Sequence, residues 1–103
     1  MMDIWLKKNL DFRELKNILA NCLMEAKQLV LGFEDWEFYP RGESGIFLIA
    51  TSHASVHTYP EHKYITVDVY SCDPDFCAKD FEDSFLSKLP VKKSKASILT
   101  RGI

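Results

Sequence analysis

Apolar residues recur along this chain with two different periods. Leu15, Ile18, Leu19, Cys22, Leu23, Ala26, Leu29 and Val30 follow one another at steps of three and four. That spacing predicts one apolar helix face over about five turns. Asp11 supplies an N-cap, Glu14 three residues later completes a capping box, and Gly32 predicts the stop. Elsewhere the period is two. Met1–Leu6 reads as a short first strand. Phe33–Tyr39 sets Trp36 and Phe38 against Asp35 and Glu37, and Tyr64–Ser71 sets Ile65, Val67 and Val69 against Thr66, Asp68 and Tyr70. The run Ile46-Phe47-Leu48-Ile49-Ala50 has no polar interruption and predicts a buried strand. Asp73-Pro74 reads as the cap and first position of a second helix. Cys77, Phe81, Phe85 and Leu89 form its stripe, Pro90 ends it, and Ala96–Thr100 predicts a last short strand. Turns fall at Pro40–Gly45 and Pro60–Lys63, and Lys92, Lys93 and Lys95 read as a solvated edge.

The order strand, helix, several strands, helix, strand predicts an α+β fold. The economical packing is a two-layer sandwich, a largely antiparallel sheet with two helices on one face. One domain, 1–103, is expected. The uncovered sheet face would carry Trp36, Tyr64 and Tyr70, and dimerisation would bury it.

Composition narrows the function classes. With 13 basic and 15 acidic residues the net charge is −2, so nothing points to nucleic acid or an anionic membrane as a partner. The longest apolar run, about five residues, is far below the ~20 that span a bilayer. Asp3, Lys7 and Lys8 interrupt the N-terminal apolar residues, which do not read as a signal peptide. Cys22, Cys72 and Cys77 are odd in number and lack a paired spacing. Free thiols in a cytoplasmic, reducing setting are expected.

The chemistry concentrates after the buried run, in Thr51-Ser52-His53-Ala54-Ser55-Val56-His57-Thr58-Tyr59-Pro60-Glu61. His53, His57 and His62, with Cys72 and Cys77 downstream, have the donor types of a zinc site but no standard spacing, and no metal is expected. Ser52, Ser55, His57 and Cys72 offer a hydroxyl, a base and a thiol, without a Gly-x-Ser-x-Gly elbow. Taken alone, the hydroxyls also fit plain turn residues, and His57 a hydrogen-bonded structural histidine.

The wider pattern is more specific. Ser52-His53, Val56–Glu61, Asp68 and Cys72, with Phe38-x-Pro40-x-Gly42-x-Ser44-Gly45 upstream and Arg101-Gly102 downstream, resemble the prokaryotic pyruvoyl-dependent S-adenosylmethionine decarboxylases. The resemblance is strong from Phe38 to Cys72 and weaker through the helices. It implies a proenzyme that cuts itself between Thr51 and Ser52. The Ser52 hydroxyl would attack the Thr51 carbonyl, Ser44 would stabilise the oxyanion, and His57 would carry the protons. Ser52 would become a pyruvoyl group, the cofactor that forms a Schiff base with the substrate amine. Cys72 would return a proton after carbon dioxide leaves, as a thiol protonated at neutral pH can. Phe38 and Tyr59 would stack on adenine and Glu61 would hold the ribose. The family further implies a cytoplasmic homodimer that makes the aminopropyl donor for spermidine and other polyamines.

Three departures keep alternatives open. Thr51 replaces the glutamate common before the cleaved bond, the first strand begins several residues late for the family, and the C-terminal end is short. The same chemistry on arginine or ornithine, or an unprocessed non-catalytic relative, is the alternative expectation.

Overall fold

A computed structural model describes residues 1–101; Gly102 of the Arg101-Gly102 pair lies outside the described residues. The elements are β1 (Met2–Leu6), α1 (Phe12–Glu25), β2 (Val30–Glu37), β3 (Glu43–Ile49), β4 (Ser52–Tyr59), β5 (Tyr64–Ser71), α2 (Ala78–Ser87) and β6 (Val91–Ala96). The strands form one sheet in the order β2-β3-β4-β5-β1-β6, and every neighbouring pair is antiparallel. Both helices pack on one face, so the expected α+β two-layer sandwich is the observed architecture. No helix among the described residues is long and apolar enough to cross a membrane.

The core lies between the layers. Leu15, Leu19, Cys22 and Leu23 of α1 and Phe81 and Phe85 of α2 pack on Ile4, Phe47, Ile49, Val56, Ile65 and Val67 of the sheet. Each such aliphatic or aromatic side chain contributes about 1.5–3 kcal/mol by leaving water. Gly45 of β3 sits under this layer, where an added Cβ would lie 2.8 Å from the Phe33 ring and 3.0 Å from Phe12. A side chain at 45 would therefore push both rings off the sheet.

Several expectations need correction. α1 ends at Glu25, well short of Val30. Lys27 takes the left-handed conformation (φ 61°), and a Schellman pair of hydrogen bonds closes the end, Lys27 N–H to Met24 O and Gln28 N–H to Leu23 O, both 2.9 Å. Leu29 and Val30 fit the helical spacing only by coincidence: Leu29 is exposed and Val30 starts β2. Gly32 lies within β2, at a register shift against β3. Phe38 falls beyond β2, in a turn whose Tyr39–Pro40 peptide is cis.

The run Ile46–Ala50 is not a buried strand. Phe47 and Ile49 face the helices, while Ile46 and Leu48 are 45% and 57% exposed on the other face. Asp73-Pro74 forms a turn, with Asp75 N–H bonded to the Asp73 carboxylate, and α2 starts only at Ala78. The last strand is Val91–Ala96, so the three lysines lie on an edge strand, not before it. Charged edges discourage pairing with other chains, which explains lysines there.

Candidate active site

The β3–β4 connection is the tightest in the sheet. Ile49 pairs with Ser52, leaving only Ala50 and Thr51 between the strands. Ser52 has φ 151°, in a region that only glycine visits freely. A non-glycine residue there stores roughly 1–3 kcal/mol. β5 runs alongside and delivers Cys72 just beyond its end. The Cys72 N–H donates to the Thr51 carbonyl oxygen at 3.0 Å. Cys72 is a free, exposed cysteine, and among the described residues the Ser52 hydroxyl makes no hydrogen bond. Thr51, Ser52 and Cys72 thus meet at one end of the sheet.

No sequence pattern signals what lies beneath them. Among the described residues Gln28 is the one polar side chain in the core, 1% exposed. Its carbonyl oxygen accepts from the Thr51 hydroxyl at 2.5 Å and the Ser71 hydroxyl at 2.9 Å. Its amide nitrogen donates to Ala26 O at 3.0 Å and Asp73 Oδ2 at 3.1 Å. A glutamine inside a predicted helix reads as solvent-facing. Only the early helix end turns it inward.

Ser44 and His57 form a second group. They are direct cross-strand neighbours, and Ser44 Oγ lies 2.6 Å from His57 Nδ1. Both half-buried side chains stand on the face opposite the helices, the face shared by Trp36, Ile46, Leu48 and Tyr70. Phe38, Tyr59 and Glu61 lie at the same end of the sheet as this pair. Phe38 lines a shallow cleft with Leu10, Phe12 and Pro60. Tyr59 packs at 5.5 Å on Tyr64, which packs at 5.1 Å on Trp5. Lys93 lies 4.6 Å over the Trp5 ring, and Glu61 faces Arg41 at 4.0 Å. The Tyr64 hydroxyl donates to Asp3, and that hydrogen bond, with burial and the Asp3 charge, pushes its pKa up to about 12.

The two groups do not meet within one chain. His57 is five residues along β4 from Ser52, which is about 16 Å at the rise of a strand. Of the other histidines, His53 rests edge-on against Tyr70 at 5.7 Å, and His62 lies in the turn before β5. Among the described residues no three histidine, cysteine, aspartate or glutamate side chains converge as a metal site would require.

Comparison with known proteins bears on the family and the fold. Residues 6–102 match the family model described as S-adenosylmethionine decarboxylase. A protein of Hydrogenobaculum sp. (strain Y04AAS1), named S-adenosylmethionine decarboxylase proenzyme, is 36% identical over 93 residues, 87% of this chain and 67% of that protein. The proenzyme of Aquifex aeolicus is 32% identical over 90 residues, again 87% of this chain and 67% of the relative. That of Thermodesulfovibrio yellowstonii is 34% identical over 84 residues, 78% of this chain and 62% of the relative. The chain thus spans about two thirds of the length of these relatives. The crystal structure of the adenosylmethionine decarboxylase from Aquifex aeolicus superposes with a TM-score of 0.82 at 28% identity, covering 99% of this chain and 87% of that one. With nearly its whole length matched in sequence and in fold, the chain belongs to the S-adenosylmethionine decarboxylase family.

Proposed function

We propose that this protein is a proenzyme that cuts itself between Thr51 and Ser52 and then decarboxylates S-adenosylmethionine, supplying the aminopropyl donor of polyamine synthesis. The observation that carries the reading is the state of that one peptide bond. Its carbonyl is hydrogen-bonded by the Cys72 N–H, its Ser52 side has a glycine-like φ, and the Ser52 hydroxyl is unengaged. A donor on the carbonyl stabilises the charge that develops when oxygen attacks it. Backbone strain on the Ser52 side is released when the bond breaks.

In the first step a bond forms from Ser52 Oγ to the Thr51 carbonyl carbon. The bond from that carbon to Ser52 N breaks, and the hydroxyl proton ends on the freed amine. In the second, Ser52 Cα loses a proton and the Cβ–Oγ bond breaks, releasing Thr51 as a carboxylate. The unsaturated residue left behind rearranges to an imine, and water hydrolyses it to a pyruvoyl group and ammonia. His57 is the group suited to move these protons, because an imidazole takes and gives them near neutral pH. The Ser44 hydroxyl orients its ring and shares the developing charge. Once formed, the pyruvoyl group supplies a ketone that holds the substrate amine and draws electrons from the bond that loses carbon dioxide. Cys72 then gives its proton to the substrate carbon. Phe38 and Tyr59 offer aromatic faces for the adenine, and Glu61 a carboxylate for the ribose hydroxyls.

Because Ser44 and His57 lie about 16 Å from Ser52 along β4, they serve it from a second copy of the chain. Among the described residues no layer covers the face opposite the helices within one chain, and two sheets pack face to face about 10 Å apart. A two-fold axis lying between the sheets and crossing β4 near Ser55 brings the partner's His57 to Ser52. The same axis brings the partner's Phe38, Tyr59 and Glu61 toward the substrate. We therefore assign a homodimer with two composite sites.

Denaturing mass spectrometry tests the cut. Two fragments meeting at Thr51 and Ser52 are expected, and Ser52→Ala is expected to leave one chain with no decarboxylation. Carbon dioxide release is then measured with S-adenosylmethionine, arginine and ornithine. Release from either amino acid but not from S-adenosylmethionine would overturn the substrate. An intact wild-type chain after long incubation would overturn the enzyme.

A further inference from the structure

We infer that Gln28 is a positioning residue for self-cleavage, holding Thr51 and Ser71 so that the Thr51 carbonyl stays on the Cys72 N–H; this rests on the cut proposed above. A glutamine amide has two acceptor and two donor positions, and all four are used here. The donors meet a backbone carbonyl and a carboxylate, and the acceptors meet two hydroxyls. A flip of the amide would set its oxygen against Ala26 O and Asp73 Oδ2, so the orientation is locked. A buried polar group satisfied this completely is rigid, and leaving it half-satisfied is costly.

The partners explain the function. Thr51 is the acyl half of the bond to be cut. Ser71 precedes Cys72, and its hydroxyl also contacts Thr51 Oγ1 at 3.2 Å and accepts from the Asp73 N–H at 3.2 Å. Gln28 therefore ties the β3–β4 turn to the end of β5, the two segments whose separation sets the distance from Thr51 O to Cys72 N. It also gives threonine a purpose at position 51. The Thr51 hydroxyl is what reaches the amide, and a hydroxyl of that reach is available from threonine or serine but not from valine. The left-handed Lys27 at the end of α1 aims Gln28 into this position.

The test follows cleavage of the full chain by denaturing mass spectrometry in wild type, Gln28→Met, Thr51→Val and Thr51→Ser. Each is also made with Ser52→Ala, so that thermal melting is read on uncut protein. Gln28→Met and Thr51→Val are expected to cut about tenfold or more slowly while still melting cooperatively, and Thr51→Ser to keep close to the wild-type rate. Hydroxylamine cuts the ester formed by the acyl shift, without the elimination step. It is expected not to speed the slow variants, because Gln28 acts before the ester exists. Wild-type rates in Gln28→Met and Thr51→Val, or their rescue by hydroxylamine, would overturn the assignment. If Gln28→Met fails to fold, the Thr51→Val and Thr51→Ser pair decides alone. A wild-type chain that never cuts removes the self-cleavage itself, and this role with it.

Discussion

Ser44 and His57 are paired across β3 and β4 with 2.6 Å between Oγ and Nδ1, yet the pair sits five residues along β4 from Ser52. A strand cannot fold back on itself over that distance. An imidazole about 16 Å away moves no proton at Ser52 in its own chain. In the proposed homodimer the same strand therefore carries parts of two different sites.

This relationship predicts complementation between two dead chains. His57→Ala alone is expected to cut about a hundredfold more slowly, the usual loss on removing a general acid–base group. Co-expressed with a Ser52→Ala chain, the His57→Ala chain is expected to be cut, because its intact Ser52 meets the partner's His57. The Ser52→Ala chain stays whole. Mass spectrometry separates the two. Failure of the His57→Ala chain to cut in mixed dimers would exclude the composite site.

The uncovered face predicts what holds such a dimer. Ile46 and Ser55 are cross-strand partners, so Ile46 lies beside the proposed axis. At 45% exposed in the single chain, it would be buried between sheets in the dimer. Ile46→Glu sets a charge close to its own copy and to Glu34, the β2 residue opposite it. Sedimentation is expected to show monomer, and cleavage to fail with it, while helical content is kept. A dimer as tight as wild type would mean that another surface makes the contact.

Cys72 has two separable parts. Its backbone N–H donates to the Thr51 carbonyl, and its thiol is the proposed proton donor of the reaction that follows. Cys72→Ala keeps the N–H, so cleavage is expected to proceed at close to the wild-type rate. Turnover of S-adenosylmethionine is expected to fall by roughly a hundredfold or more, the scale of a lost proton donor. Equal loss in both steps would assign Cys72 a structural role, and unchanged turnover would remove its thiol from the reaction.

What was legible in the sequence follows from which forces act locally. The two-residue period of Tyr64–Ser71 reports burial on one face, and β5 has the expected residues inside. The α1 stripe is also correct from Leu15 to Leu23. Its end is not, because Lys27 takes a left-handed conformation without being glycine, and the Leu29-Val30 pair happens to continue the helical spacing. Ile46 and Leu48 misled for a different reason. An unbroken apolar run predicts burial on both faces of a strand, and in one chain only one face of β3 is covered. The second face is the one the proposed dimer would cover. The candidate site residues came from the resemblance to the family, which several spacings along the strands carry together. Their separation was not, since five residues mean about 16 Å in a strand but only ~7.5 Å in a helix. Gln28 left no trace, because its role depends on where α1 stops.

Tyr64 gives a prediction that does not depend on catalysis. Its hydroxyl donates to Asp3, and the lost hydrogen bond, burial and the Asp3 charge all penalise the phenolate, raising the pKa from 10.0 to about 12. In the unfolded chain the hydroxyl titrates at its ordinary value. Below pH 10 both states hold the proton and the contribution to stability is complete. Between pH 10 and 12 the unfolded chain loses its proton first, so folding stability falls across that window. Ultraviolet titration is expected to show one of the four tyrosines ionising late, and Asp3→Asn to bring that step down. Tyr64→Phe is expected to remove the late step altogether and to flatten the loss of stability above pH 10. A wild-type titration in which all four tyrosines ionise together would show that Asp3 does not hold the Tyr64 hydroxyl in solution.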